Sequence, residues 1–94
     1  MNNFKKVALV SRNNVNTASF TSVIHLAEQV LQNNECETVT ISLPPNDNED
    51  TKHALENAVK DCDLIIIFGG DGTFLGIARK ACHLNIPFVG INLG

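Results

Sequence analysis

Apolar residues fall along this chain in two alternating rhythms, one suited to strands and one to helices. Val7-Ala8-Leu9-Val10 is an unbroken apolar run of strand length, as expected of a strand covered on both faces. Polar residues 11–17 follow, with three asparagines. Phe20, Val23, Ile24, Ala27, Val30 and Leu31 then recur at helical spacing. They predict one apolar stripe on a helix from near Ser19 to Asn33-Asn34. Residues 38–43 alternate and are rich in β-branched side chains, which predicts a strand stopped by Pro44-Pro45.

Residues 46–51 form the most polar stretch and predict an exposed loop. Asp50 or Thr51 would cap the next helix, which runs to about Lys60 with Leu55 and Val59 on one face. Leu64-Ile65-Ile66-Ile67-Phe68 is the strongest strand signal, and its lack of a polar break predicts a central, covered strand. A helix from about Thr73 to His83, carrying Leu75, Ala78 and Cys82, precedes a last strand at Pro87-Phe88-Val89-Gly90-Ile91.

This alternation is the signature of the α/β class. It predicts an open parallel sheet of Rossmann-like type, with helices on both faces. No internal repeat or low-complexity tract interrupts it. The last strand has no following helix to cover it, and parallel sheets are normally covered on both faces. The 94 residues therefore read as one α/β domain belonging to a larger functional unit.

Composition narrows the class further. A net charge of -3 and a pI near 5.4 argue against a nucleic-acid surface, which would carry a basic stripe. Cys36, Cys62 and Cys82 are widely spaced and odd in number. They read as free thiols of a reducing compartment rather than a zinc site, and no residue is assigned as a dedicated metal ligand. The apolar run after Lys5-Lys6 is too short for a signal-peptide core, and no stretch approaches the ~20 apolar residues of a membrane span. A cytoplasmic protein is expected, without a membrane partner.

The chemistry concentrates after the most buried strand, at Gly69-Gly70-Asp71-Gly72-Thr73. Ligands of open α/β sheets bind outside the carboxyl ends of the strands. Glycines allow close backbone approach, and the N-terminus of the following helix suits an anion such as phosphate. Asp71 would repel phosphate unless it serves another purpose. It could accept a proton from an attacking hydroxyl or help to hold Mg²⁺. It could also only cap a helix or make an Asx-turn. There is no G-x-x-x-x-G-K-[ST], so this is not a P-loop. The run from Gly70 reads G-x-G-x-x-x-G, one residue off the dinucleotide fingerprint, and Ile91 and Asn92 stand where an acidic residue would bind ribose. A dehydrogenase is disfavoured.

Gly69-Gly70-Asp71-Gly72-Thr73 resembles the GGDGT motif of NAD kinases. Related forms occur in diacylglycerol and sphingosine kinases and in phosphofructokinases. The flanks, Asp63-Leu64-Ile65-Ile66-Ile67-Phe68 and Phe74-Leu75-Gly76-Ile77-Ala78-Arg79, are also similar to NAD kinases. So is Ile86-Pro87-Phe88-Val89-Gly90-Ile91-Asn92-Leu93-Gly94. The resemblance is dense over residues 63–94; before them only the α/β pattern matches. It implies an N-terminal α/β domain at 1–94, lacking an all-β C-terminal domain that would complete the site. It implies transfer of a phosphoryl group from ATP (or polyphosphate), with Mg²⁺ or another divalent metal, to the 2′-hydroxyl of the adenosine ribose of NAD. The resemblance makes Asp71 the base, sets Gly72 against NAD and gives Leu75 an apolar nucleotide contact. Gly69, Gly70 and Thr73 complete the expected binding residues. The family's second motif, Asn-Glu or Asn-Asp, is not within these residues, so the 94 residues alone are expected to be inactive. NAD and ATP are the expected partners, and a homo-oligomer the expected assembly.

Two other functions fit the same residues. One is a lipid or sugar kinase of the GGDGT superfamily; the other is a nucleotide-binding module without catalysis. Several residues also have blander readings. Thr73 reads as a helix-start residue. Arg79 and Lys80 could reach phosphate or be solvated ends of a helix face. Phe74 and Leu75 are core residues by pattern alone, and His25, His53 and His83 read as surface residues. The acidic loop at 47–50 reads as solvated.

Overall fold

The computed structural model describes residues 4–12, 18–46 and 48–92. Most of the polar stretch after the first strand, Asp47 of the acidic loop, and the final Leu93-Gly94 lie outside them. Four strands, β1 (Lys6–Arg12), β2 (Glu37–Leu43), β3 (Leu64–Gly69) and β4 (Phe88–Asn92), form one sheet of order β2-β1-β3-β4. All three pairings are parallel, so each link must cross over the sheet, and helices do this. The helices are α1 (Ala18–Asn33), α2 (Glu49–Val59) and α3 (Asp71–Ala81), the last followed by a 3₁₀ turn at Cys82–Leu84.

Period-two geometry explains the two kinds of strand pattern. In β3, Ile65 and Ile67 point to one core with Leu55 and Val59 of α2 and Ile77 and Ala81 of α3. Phe68, Leu64 and Ile66 point to the other, with Phe20 of α1. In β1, Ala8 and Val10 face the α2–α3 side, and Val7 and Leu9 the α1 side. Strands covered on both faces need apolar residues at every position, which is why these two runs are unbroken. β2 is a sheet edge and alternates. Val39, Ile41 and Leu43 join the α2–α3 core, while Thr38 and Thr40 turn hydroxyls to Gln32 and Glu28 of α1. The expected central, buried position of Leu64 to Phe68 is therefore found.

Helix ends follow capping chemistry. α1 ends in a Schellman turn, with Cys36 N–H donating to Leu31 O at 2.9 Å and Glu35 N–H to Gln32 O at 3.1 Å. The residue that must turn left-handed there is Glu35, at φ 64°. α2 corrects the sequence expectation: the cap is Asn48, whose Oδ1 accepts from Thr51 N–H at 2.9 Å. That leaves Glu49 and Asp50 in the first turn, where carboxylates suit the helix dipole. On α1, Val30 lies off the expected stripe and is exposed.

At the amino ends of the strands, the Asp63 carboxylate accepts from Lys5 N–H at 2.8 Å and Lys6 N–H at 3.0 Å. These two bonds hold its pKa below the usual aspartate value. At the start of β4, Phe88 lies under α3. The Phe74 and Phe88 rings meet edge to face, 5.9 Å between centroids. Val89 and Ile91 point to the α1 side and are exposed, with no helix among the described residues above them.

Candidate functional site

The site grows from the carboxyl end of β3, where the chain passes from strand to helix within two residues. Gly69 ends β3 with φ +157°. A Cβ there would lie 2.7 Å from Thr73 Cγ2 and 2.8 Å from Thr73 Cβ, so only glycine lets α3 fold back this closely. Gly70 is extended and occupies the N-cap position without a side chain to cap. α3 therefore starts at Asp71, two residues earlier than the pattern predicted. The first backbone bond of the helix runs from Phe74 N–H to Gly70 O at 3.0 Å. The N–H groups of the first turn before it have no intrahelical acceptor and concentrate the positive end of the helix dipole.

The structure separates two kinds of glycine in the motif. A Cβ on Gly69 collides with the chain, whereas Cβ atoms on Gly70 and Gly72 would meet nothing within 4 Å. The fold thus explains Gly69 but leaves open space at the two glycines flanking Asp71. Glycine inside a first helical turn costs stability relative to alanine, and no packing among the described residues requires it at Gly72.

A shallow cleft of about 200 Å³ opens beside this turn. Gly69, Gly70 and Asp71 form one wall, and Gly90, Ile91 and Asn92 of β4 form the other, with Phe74 between them. The parallel register sets the two walls side by side, with Phe68 opposite Ile91 and Gly69 opposite Asn92. Gly90 is a notch for the Phe74 ring, since a Cβ there would come within 2.5 Å of Phe74 Cδ1. Asp71 is exposed at the edge of the cleft. As the first residue of α3 it is not the cap; Gly70 is. Its carboxylate lies at the positive end of the helix.

Of the residues singled out from sequence, Gly69, Gly70 and Asp71 come together in the cleft. Gly72 is exposed beside it. Thr73 is half-buried and packs back over Gly69, so its part here is in the turn. Leu75 is 55% exposed on the outer side of α3, away from the cleft. The face of α3 that meets the sheet is Phe74, Ile77 and Ala81 rather than Leu75, Ala78 and Cys82. Lys80 corrects its solvated reading: it is 8% exposed, with Nζ donating to Gly76 O at 3.2 Å. The sequence reading did not single out Phe74, Gly90, Ile91 or Asn92 as site residues. The available signal was that a strand following α3 should lie beside β3 and end at the same edge.

Away from the cleft, Cys36 and Cys62 are buried and Cys82 is exposed, all as free thiols. Burial pushes the Cys62 thiol above its ordinary pKa. The three histidines are exposed and each lies beside a glutamate, the closest pair being His83 and Glu56 at 2.8 Å. No helix among the described residues is long and apolar enough to cross a membrane.

Fold and cleft together define an α/β domain with a glycine-rich turn at the carboxyl edge of a parallel sheet. Residues 4–94 match the family described as the ATP-NAD kinase N-terminal domain. The chain belongs to that family. It is 33% identical over 92 residues to the NAD kinase of Campylobacter jejuni (strain RM1221), covering 98% of this chain and 31% of that protein. It is 49% identical over 41 residues to the NAD kinase of Marinomonas sp. (strain MWYL1), covering 44% of this chain and 14% of that protein. Over 41 residues it is 54% identical to the NAD kinase of Nitrosospira multiformis, with the same coverage. The chain thus spans about a third or less of the length of these relatives.

Proposed function

We propose that this chain forms one wall of an NAD kinase active site, with Asp71 as the general base. The observation that carries the reading is the open space at Gly70 and Gly72, on either side of an exposed carboxylate at an uncapped helix start. Bare backbone there admits a ligand to the N–H groups of the first turn of α3, which are donors for a phosphate. Asp71 then accepts the proton of the adenosine-ribose 2′-hydroxyl of NAD. The hydroxyl oxygen forms a bond to the terminal phosphorus of ATP as the bond to the bridging oxygen breaks, leaving ADP and NADP.

A divalent cation fits this chemistry. Among the described residues no group of three His, Cys, Asp or Glu side chains converges on a metal position. Mg²⁺ is commonly held by one or two carboxylates plus the phosphates of its substrate, and Asp71 offers one such carboxylate. Bound there, Mg²⁺ would offset the charge of the phosphates. Gly69 and Thr73 hold the turn, Gly70 and Gly72 leave room for the nucleotide, and exposed Leu75 offers apolar surface to the remainder of the site. In this reading residues 1–94 are an incomplete domain and do not phosphorylate NAD alone, because positioning needs both walls. The complete enzyme works in the cytoplasm as a homo-oligomer.

The test is to incubate the full-length protein with ATP, MgCl₂ and NAD and to follow NADP with an NADP-specific dehydrogenase. The reading expects NADP to form, and neither diacylglycerol nor sphingosine to be phosphorylated. Lipid phosphorylation without NADP formation would overturn it.

A further inference from the structure

Gly90 is the middle residue of β4 and stands opposite Ile67 of β3. Its backbone does not need a glycine, because its φ is not in the left-handed region. Glycine weakens a strand interior, so its presence there marks a close approach. The approaching group is the Phe74 ring. A Cβ at position 90 would lie 2.5 Å from Phe74 Cδ1, 2.8 Å from Cε1 and 3.3 Å from Cγ. Carbon atoms in contact stand about 3.5–4.0 Å apart, so a methyl group here would be about 1 Å too close to the ring.

Packing holds that ring in place. Positions 88 and 90 share one face of β4, and Phe74 meets the Phe88 ring there with 5.9 Å between centroids and 63° between planes. Phe74 is partly buried against the core that contains Ile65, Ile67 and Ile77. Its side chain leaves a helix, where the choice of χ1 rotamer is restricted. Phe74 is also tied to the motif through its backbone, because its N–H closes the first bond of α3 on Gly70 O at 3.0 Å. Asp71 begins the same helical turn, so a displaced Phe74 carries Asp71 with it. In the cleft, Phe74 stands between the wall that bears Asp71 and the wall from β4.

We propose that the Phe74 ring, seated on Gly90, is a spacer that sets the distance between Asp71 and β4. Phe74 and Gly90 are then positioning residues for the phosphoryl transfer, a role that rests on the NAD kinase reading. The test is a double-mutant cycle in the full-length protein with Gly90→Ala and Phe74→Val, since valine has no ring to meet the new methyl group. In a crystal structure of Gly90→Ala, the ring should stay on Phe88 while Asp71 Cα moves away from β4 by about 0.5–1 Å. A misplacement of about 1 Å can cost on the order of 10²-fold in rate, so kcat should fall about ten-fold or more with KM for NAD changed only a few-fold. Phe74→Val removes the spacer and should itself lower kcat. In that background, adding Gly90→Ala should cost less than about two-fold. A ring swung into the cleft with Asp71 unmoved, or an equal cost of Gly90→Ala in both backgrounds, would overturn the proposal. So would an unchanged kcat in folded Phe74→Val, which decides the matter even where Gly90→Ala does not fold. A wild type that makes no NADP would count against the kinase reading instead, and the position of Asp71 in the crystal would still show whether the spacer exists.

Discussion

Replacing Gly72 by alanine should make the protein more stable and the enzyme worse. Gly72 is the second residue of α3, and a Cβ there would meet nothing within 4 Å. Its backbone already adopts a helical conformation open to any L-residue. Alanine therefore loses less chain entropy on folding and gains helix propensity, together about 0.5–1 kcal/mol. In urea, with slopes of about 1–3 kcal/mol per molar, the midpoint should rise by a few tenths molar. The same methyl group would project into the space assigned to NAD. A misplacement of about 1 Å near reacting atoms can cost on the order of 10²-fold in rate, so kcat/KM for NAD should fall at least about ten-fold. The assay pairs urea denaturation of the purified variant with steady-state kinetics at varied NAD. A destabilised Gly72→Ala protein would show that the space is needed by the fold. A stabilised variant with unchanged kcat/KM would show that no substrate enters it.

Gly69→Ala should do the opposite to stability, because its Cβ would overlap Thr73; a loss of about 1–3 kcal/mol is expected in the same titration. Glu35→Gly should raise stability by about 0.5–1 kcal/mol, since a left-handed residue closes the Schellman turn after α1 and glycine adopts that conformation without steric cost; an unchanged or lowered midpoint would count against the turn described. Asp63→Asn should lower stability at neutral pH. The native pKa of Asp63 is depressed by the Lys5 and Lys6 amides, so the carboxylate stabilises the fold above the unfolded-state pKa of about 3.9 and loses that effect as pH falls through the native value. The gap between wild type and variant, measured by denaturation from pH 7 to pH 3, should therefore close at the acid end.

What the sequence disclosed followed how sharply each local pattern restricted the structure. The runs in β1 and β3 had one economical explanation, strands covered on both faces, and the alternation in β2 marked a strand, whose edge position only the sheet order shows. The turn at Gly69 to Thr73 stood out because glycines crowd where a covered strand ends. Other features were ambiguous for physical reasons. Residues 46–51 hold several side chains able to cap, and only the path of the loop selects Asn48. In α3, Phe74, Leu75, Ile77 and Ala78 are all apolar, so two registers of the helix fit the pattern. The notch at Gly90 and the Phe88 ring select the register that buries Phe74 and Ile77. Lys80 carries a long aliphatic stem that packs while its ammonium reaches Gly76 O, which no spacing rule reveals. The cleft wall from β4 was hidden because it depends on strands that meet only in the sheet.

The central claim is that Asp71 acts as a base, and Asp71→Asn tests it most directly. Asp71 is exposed, is not the helix cap and makes no side-chain hydrogen bond or ion pair among the described residues, so the amide should leave the fold intact. Losing a carboxylate at a helix start costs about 0.3–1 kcal/mol. The measurement is kcat and KM for NAD in the folded, full-length variant at saturating ATP and Mg²⁺. The account predicts a kcat about 10²–10⁴-fold lower with KM changed only a few-fold. A folded Asp71→Asn enzyme that keeps near wild-type kcat would contradict it.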